Sequence, residues 1–272
     1  MAHDFASGAA AIGARIAARL RESEAELRAQ WEASTPVRHF FLDDLLPAES
    51  VRALHADIPP TSSLLHKKSL RESKWVGVAI DRYPPSIGEH LLAFQRPEVI
   101  DAIAAITGLR QMEADPSLYA SGISLMQKGD FLNPHLDNSH DGDQRLYRVL
   151  NLLFYVSPDW SLDRGGNLEL WTKDRKTPRV IESRFNRLVV MGTDDASWHS
   201  VQRVTSDEPR VCFSNYYFSL VSPRAYEYRQ VTSFRGRPEE PLKRIVLRAD
   251  AALLNAIGFA LPFLLKRNRH RR

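Results

Sequence analysis

Asn133-Pro134-His135-Leu136-Asp137, answered downstream by Trp198-His199-Ser200-Val201 and Glu208-Pro209-Arg210-Val211, is the stretch on which the reading of this chain turns. In an extended strand, side chains two residues apart point to the same side, so His135 and Asp137 can grip one metal ion while Leu136 turns toward a packed wall. A second imidazole, His199, arriving from another strand, completes the two-histidine, one-carboxylate facial set that holds non-haem Fe(II) and leaves coordination positions open. An H-x-D triplet alone is a weak pattern that many chains contain by chance. Three features strengthen it here. A Gly165-Gly166 turn separates the two ligand groups, His199 opens a strand-like H-x-V run, and Arg210 follows eleven positions later at the start of the β-rich run Arg210–Ser219. An arginine flanked by Val211, Phe213 and Tyr217 needs an anionic partner, because a lone buried charge is very costly. A dicarboxylate would supply one.

Between the ligand groups lie short strand-like runs, Arg148–Ser157, Asn167–Trp171, Arg179–Glu182 and Arg187–Met191, punctuated by Asp163-Arg164-Gly165-Gly166 and Phe185-Asn186. Such runs at these intervals describe a sandwich or a barrel-like jelly roll. The fold class is therefore mainly β with flanking helices (α+β), around a double-stranded β-helix (jelly-roll) core.

The order of these motifs resembles that of the Fe(II)- and 2-oxoglutarate-dependent dioxygenases, and within them the prolyl 4-hydroxylase-like group. The likeness runs from about Ser121 to Ser219 and takes in His135 to Asn138, Tyr155-Val156-Ser157-Pro158-Asp159-Trp160, the Gly165-Gly166 turn, Phe185-Asn186-Arg187-Leu188 and Trp198-His199-Ser200-Val201-Gln202. It implies that His135, Asp137 and His199 bind iron and that Arg210 pairs with the distal carboxylate of 2-oxoglutarate. Tyr155 looks like the tyrosine that hydrogen-bonds the same carboxylate in some members; ordinary core packing is the bland alternative. Tyr155 shares strand parity with Asn151 and Leu153. Met126 departs from the pattern, since many relatives place a tyrosine there. The resemblance further implies O2 as oxidant, succinate and CO2 as products, and ascorbate as a stimulant. Relatives that halogenate lack the carboxylate, so Asp137 favours hydroxylation or a related oxidation.

Other polar residues read as bystanders. His140 and Asp141 lie in a polar, glycine-containing run that reads as a loop, solvated or facing substrate. Asp194 and Asp195 read as turn formers. Arg148, of opposite parity to Tyr155, either reaches substrate or pairs with a surface acid.

At 272 residues and 43% apolar content, one substantial domain with flanking helices is expected. The divisions are an N-terminal helix over 1–36, a jelly-roll domain with bracing helices over 37–225, and a C-terminal extension over 226–272 with an apolar helix and a basic tail. Ala6 to Ala33 reads as one long helix that packs on the core or pairs two subunits. His39–Leu42 reads as a strand, and Ala48–Asp57 and Pro97–Thr107 as helices, with Gly108 just past the end of the last. The single cysteine, Cys212, excludes an internal disulfide and suits a reducing compartment, and it reads as a small core residue. The start lacks the pattern of a signal peptide, which points to the cytoplasm.

Five of the 37 Lys and Arg lie in the last seven residues, which leaves the rest of the chain with 32 against 33 acids. A spread-out nucleic-acid surface is therefore not indicated. Ala251–Leu265 is apolar but shorter than the roughly 20 residues of a membrane span, and the basic cluster behind it fits an interfacial anchor on an anionic membrane. Its bland reading is a helix packed on the barrel. Leu64–Tyr83, with Lys67, Lys68, Arg71, Lys74 and Trp75, resembles a substrate-side insertion. An anionic sugar or lipid-linked glycan would use both features. A prolyl residue, a free amino acid and a secondary metabolite are the rival substrates, and a non-catalytic jelly roll that only binds or senses metal is the rival class.

Overall fold

The computed structural model describes residues 5–115, 118 and 121–247. The anchor segment Ala251–Leu265 and the basic residues after it lie outside them.

In chain order the elements are α1 (Ala6–Glu22), α2 (Glu24–Ala33), β1 (His39–Leu42), α3 (Ala48–Ala56), β2 (Leu65–Lys68), β3 (Glu72–Gly77), α4 (Pro85–Ala93), α5 (Pro97–Thr107) and β4 (Met112–Glu113). The core follows with β5 (Gly122–Met126), β6 (Phe131–Leu136), β7 (Tyr147–Tyr155), β8 (Leu168–Trp171), β9 (Pro178–Ile181), β10 (Arg187–Gly192), β11 (His199–Val201), β12 (Arg210–Ser219) and β13 (Ser233–Phe234). The strands pair antiparallel in the order β1-β10-β7-β12-β5-β3-β6-β11-β8-β9, a sheet that curls on itself as a jelly roll.

Alternation along β7 shows how the layers form. Leu150, Leu152 and Phe154 face the helices and join Ile16, Leu20, Leu91 and Ile103 in the largest core cluster. Leu153 and Tyr155 face the other way, packing with Leu168 and Leu170 of β8 across the inside of the roll. Each fully buried Leu or Phe of the outer layer contributes about 2 kcal/mol by leaving water. The helical layer thus braces the wall on which the inner face is built.

The expected single N-terminal helix is two helices. Buried positions run through Ala9, Gly13, Ile16, Ala17 and Leu20, but the next turn brings Ser23 and Glu24, and burial resumes only at Leu27 and Trp31. The apolar stripe breaks there, and so does the helix. Both pieces spend their apolar faces on this chain, α1 against α4 and α5, α2 against α5 and β1. Within the first residues of the 226–272 extension, β13 pairs with β6.

Two imidazoles remote from the ligand strands make the fold acid-sensitive. Burial pushes both His39 and His90 below the ordinary histidine value, with Nδ1 held at 2.8 Å from Val37 O and 2.7 Å from Ser86 O. Unfolded histidine takes a proton near pH 6.5, where these rings resist it, so stability is full above that pH and is lost as pH falls through it. Urea midpoints should therefore drop between pH 7.5 and 5.5, and the double variant His39→Gln, His90→Gln should flatten that slope.

Candidate active site

Strands β6 and β11 bring the three ligand candidates together. His135 and His199 are direct cross-strand partners, with ring centroids 4.1 Å apart. Asp137, just past the end of β6, sets Oδ1 3.6 Å from His135 Nε2 and Oδ2 3.8 Å from His199 Nε2. One ligand atom from each of these buried residues lies within 4.8 Å of the others. Each ring turns Nδ1 to a carbonyl two residues back, Asn133 O at 3.0 Å and Ser197 O at 2.9 Å. Those contacts make Nδ1 the protonated nitrogen and leave the Nε2 lone pair aimed at the centre. Burial, followed by the neighbouring His199, lowers His135 to about 3, so its ring is neutral at ordinary pH. Burial alone pushes the Asp137 carboxyl up, but His199, Arg148 and His135 overcome it and hold the group below the usual carboxylate range. Two imidazoles and one carboxylate are a donor set that suits Fe(II).

The competing residues fall outside this centre. His140 is buried rather than solvated, its Nδ1 2.8 Å from Ser139 Oγ and its ring 4.3 Å from Tyr147, because a β-bridge between these two residues folds the loop back. Asp194 and Asp195 shape a turn, pairing with Arg224 at 3.2 and 2.9 Å.

Arg210, 2% exposed, lies on the concave face beside Tyr155, its guanidinium 4.7 Å over that ring. Arg210 Nε and the Tyr155 hydroxyl are both buried without a hydrogen-bond partner, although Ser183 also lies near the hydroxyl. Burial raises Tyr155 to about 12, so the phenol keeps its proton and remains a donor. Two orphaned donors side by side are a cradle for a carboxylate. Tyr155 therefore serves the inner core with its ring while its hydroxyl lies beside Ser183 and Arg210. Met126 faces Arg210 directly across β5 and β12, and its thioether offers no donor on that side. The Gly165-Gly166 turn lies against this arginine; a Cβ on Gly166, at φ +66°, would stand 3.2 Å from Arg210 Cγ.

Parity misplaces Arg148. In the β12–β7 ladder Tyr217 pairs with Leu150 but Phe218 pairs with Arg148, so Val149 is an extra residue that reverses the alternation. The bulge swings Arg148 to the concave face, 3.5 Å from Asp137 Oδ2 and 4.3 Å over the Tyr216 ring. Nothing in the alternating pattern of the segment announces that reversal.

Residues 230–237 form a strap across both ligand strands that sequence reading missed. Gln230 Nε2 donates to Asp137 O at 3.0 Å, and Phe234 stacks on His135 at 5.1 Å. Arg237 pairs with buried Glu169 at 2.7 Å, and Ser200, next to His199, donates to the same carboxylate at 2.5 Å.

A jelly roll with a His-Asp-His cluster and a buried arginine on its inner face has counterparts among known proteins. Residues 121–218 match the family model described as the 2OG-Fe(II) oxygenase superfamily. A Pseudomonas putida prolyl-4-hydroxylase superposes with a TM-score of 0.54 at 21% identity, over 71% of this chain and 98% of that one. A prolyl hydroxylase from Trichoplax adhaerens, in complex with a hypoxia inducible factor oxygen degradation domain peptide fragment, gives 0.53 at 16%, over 74% and 92%. SnoN, a non-heme alpha ketoglutarate dependent epimerase from nogalamycin biosynthesis, gives 0.52 at 12%, over 79% and 86%. No curated protein matches the chain. Over residues 121–218, the span that holds the three ligand candidates, the chain is similar to the 2OG-Fe(II) oxygenases, and it shares their fold.

Variants at the centre should separate two kinds of loss. His135→Ala, Asp137→Ala and His199→Ala should each abolish Fe(II) binding and succinate formation, while His140→Ala keeps the metal. Arg210→Ala should keep the metal yet raise the Michaelis constant for 2-oxoglutarate roughly 30-fold or more, since truncating one partner of a buried charge pair costs about 2–5 kcal/mol. An Asp137→Ala protein with full turnover would remove the ligand assignment.

Proposed function

We propose that this dioxygenase hydroxylates an unactivated C–H bond of an anionic substrate, an acidic sugar or lipid-linked glycan ahead of a prolyl peptide. In this reading His135, Asp137 and His199 hold Fe(II), and Arg210 with Tyr155 holds the distal carboxylate of 2-oxoglutarate. Bound iron and cosubstrate supply the oxidising power for C–H cleavage. The chain supplies position, a pair of imidazoles, a guanidinium that orders Asp137, and walls that exclude water.

The observation that carries the substrate class is the charge left on the concave face. Iron, 2-oxoglutarate, Asp137 and Arg210 neutralise one another, and Lys67, Lys74 and Arg148 then stand against one acid, Glu72. A dry pocket with surplus positive charge favours an anion. Iron-loaded protein incubated with 2-oxoglutarate and a substrate panel should give a product heavier by one oxygen, coupled to succinate, on acidic sugars and not on their neutral counterparts. Oxidation confined to prolyl peptides, free amino acids or neutral metabolites would overturn the substrate class and keep the reaction.

Peripheral contact with an anionic membrane is part of the proposal. No helix among the described residues is long and apolar enough to cross a membrane. The helical turns at 241–247 leave Leu242, Ile245 and Val246 exposed on one side and lead in sequence to Ala251–Leu265 and the basic cluster. The full chain should sediment with phosphatidylserine vesicles in a salt-sensitive way, and a chain ending at Leu247 should not. Equal sedimentation of the two would remove the anchor.

A further inference from the structure

The hairpin of β2 and β3 places two lysines directly opposite each other, Lys67 against Lys74. Like charges in that position destabilise a strand pair. Glu72 offsets only one of them, at 2.9 Å from Lys74 Nζ, with both side chains about four-fifths buried. Lys67 is half-buried and makes no ion pair among the described residues; burial and the Lys74 charge both push its ammonium below the ordinary lysine value. A sheet that keeps such a pair keeps an electrostatic cost that an anion would relieve.

Register decides which way the pair points. Val76 is in register with Ser124, Ser124 with Cys212, and Cys212 with Tyr155, so these residues share the concave face. Lys74 and Glu72 alternate with Val76 and therefore lie on that face, and Lys67 joins them as the cross-strand partner of Lys74. From the other side, Glu72 is in register with Leu132, which shares a face with Val201 and His199. Trp75 and His66 take the opposite face, stacked at 4.0 Å and 3°, and fix the hairpin from behind. Arg148 adds a second, independent observation on the same concavity: it is 5% exposed, and its Nε has no partner.

We propose that Lys67 and Lys74, with Arg148 across the concavity, form a subsite for one anionic group of the substrate, a carboxylate or a phosphate. The subsite adjoins the metal centre through Arg148, which lies 3.5 Å from Asp137 Oδ2, and runs out along the hairpin to Lys67, and Glu72 occupies Lys74 until the anion arrives. The inference rests on the hydroxylase reading and names the residues that select its substrate.

The test uses the full chain loaded with Mn(II) and saturating 2-oxoglutarate, so that Arg210 is already occupied. Inorganic phosphate and D-glucuronate, with D-glucose as the neutral control, are titrated by calorimetry. Phosphate or glucuronate should bind where glucose does not, and which of them binds more tightly distinguishes a phosphate from a carboxylate source. Lys67→Gln and Lys67→Met should each weaken that binding at least about tenfold, and Lys67→Arg should restore it, because a charge-assisted contact is removed and returned. Mn(II) and 2-oxoglutarate affinities should not move. Anion affinity that is absent from the wild-type chain, or equal in wild type and Lys67→Gln, would overturn the subsite. Lys67-dependent anion binding in a chain that takes up no Mn(II) would keep the subsite and overturn the hydroxylase reading instead.

Discussion

Two imidazoles and a carboxylate held with their ligand atoms inside one coordination sphere, away from water, is the constraint on which the other parts of this structure depend. A buried carboxylate is costly unless charged neighbours or donors surround it, and imidazoles bind metal only when neutral and turned the right way. The β6–β11 pairing meets the second condition by placing His135 opposite His199 and giving each Nδ1 a carbonyl two residues behind. Arg148 meets the first from the opposite wall. The strap then closes the arrangement from outside, with Phe234 on one imidazole and Arg237 on the carboxylate that orients Ser200 beside the other.

Two breaks in strand alternation make this geometry reachable. In β6, His135 pairs with His199 but Leu132 pairs with Val201, so Asn133 and Pro134 together oppose Ser200. Proline has no N–H to give to a ladder, and a bulge is where a strand tolerates it. The Pro134 carbonyl still works, accepting from Arg235 N at 2.8 Å and tying the strap to the bulge. The second break, at Val149, delivers Arg148. Without the first, the wall residue Leu132 and the ligand His135 would lie on opposite faces. Without the second, the carboxylate would face no guanidinium.

This explains which features the sequence discloses. The triad, Arg210, Tyr155 and the strand sequence from Tyr147 to Ser219 are legible because they rest on two-residue alternation and on local turn chemistry, such as the Gly165-Gly166 turn whose positive φ values no side chain adopts comfortably. The inward position of Arg148 is not legible, since a bulge leaves no compositional mark in an apolar strand. His140 misleads for a related reason: its polar run looks like a solvated loop, yet a bridge to Tyr147 seven residues on closes that loop and buries the ring. The strap escapes notice because it consists of single residues, Gln230, Phe234 and Arg237, whose meaning comes only from the partners they find. The N-terminal helix errs in the opposite direction, since helix propensity is continuous across Ser23 while the buried stripe is not.

The division between what the family match covers and what it leaves out follows a division of chemical labour. The matched residues, 121–218, contain the three ligand candidates, Arg210, Tyr155 and Arg148. The hairpin that carries Lys67, Glu72 and Lys74 lies before that span and the strap lies after it, yet both pair with β6, the strand that carries His135. Segments added to the two ends of the domain therefore converge on the same ligand strand, one facing the substrate side with charge and the other fixing the imidazole. If His135, Asp137 and His199 hold Fe(II), the Asp137 carboxylate would take the place that a halide would need, and the metal centre would have little freedom to change its chemistry. In the proposed reading, selectivity falls to the hairpin, where Lys67 stands on β2, which among the described residues pairs only with β3, while Lys74 and Glu72 stand on β3 between β5 and β6.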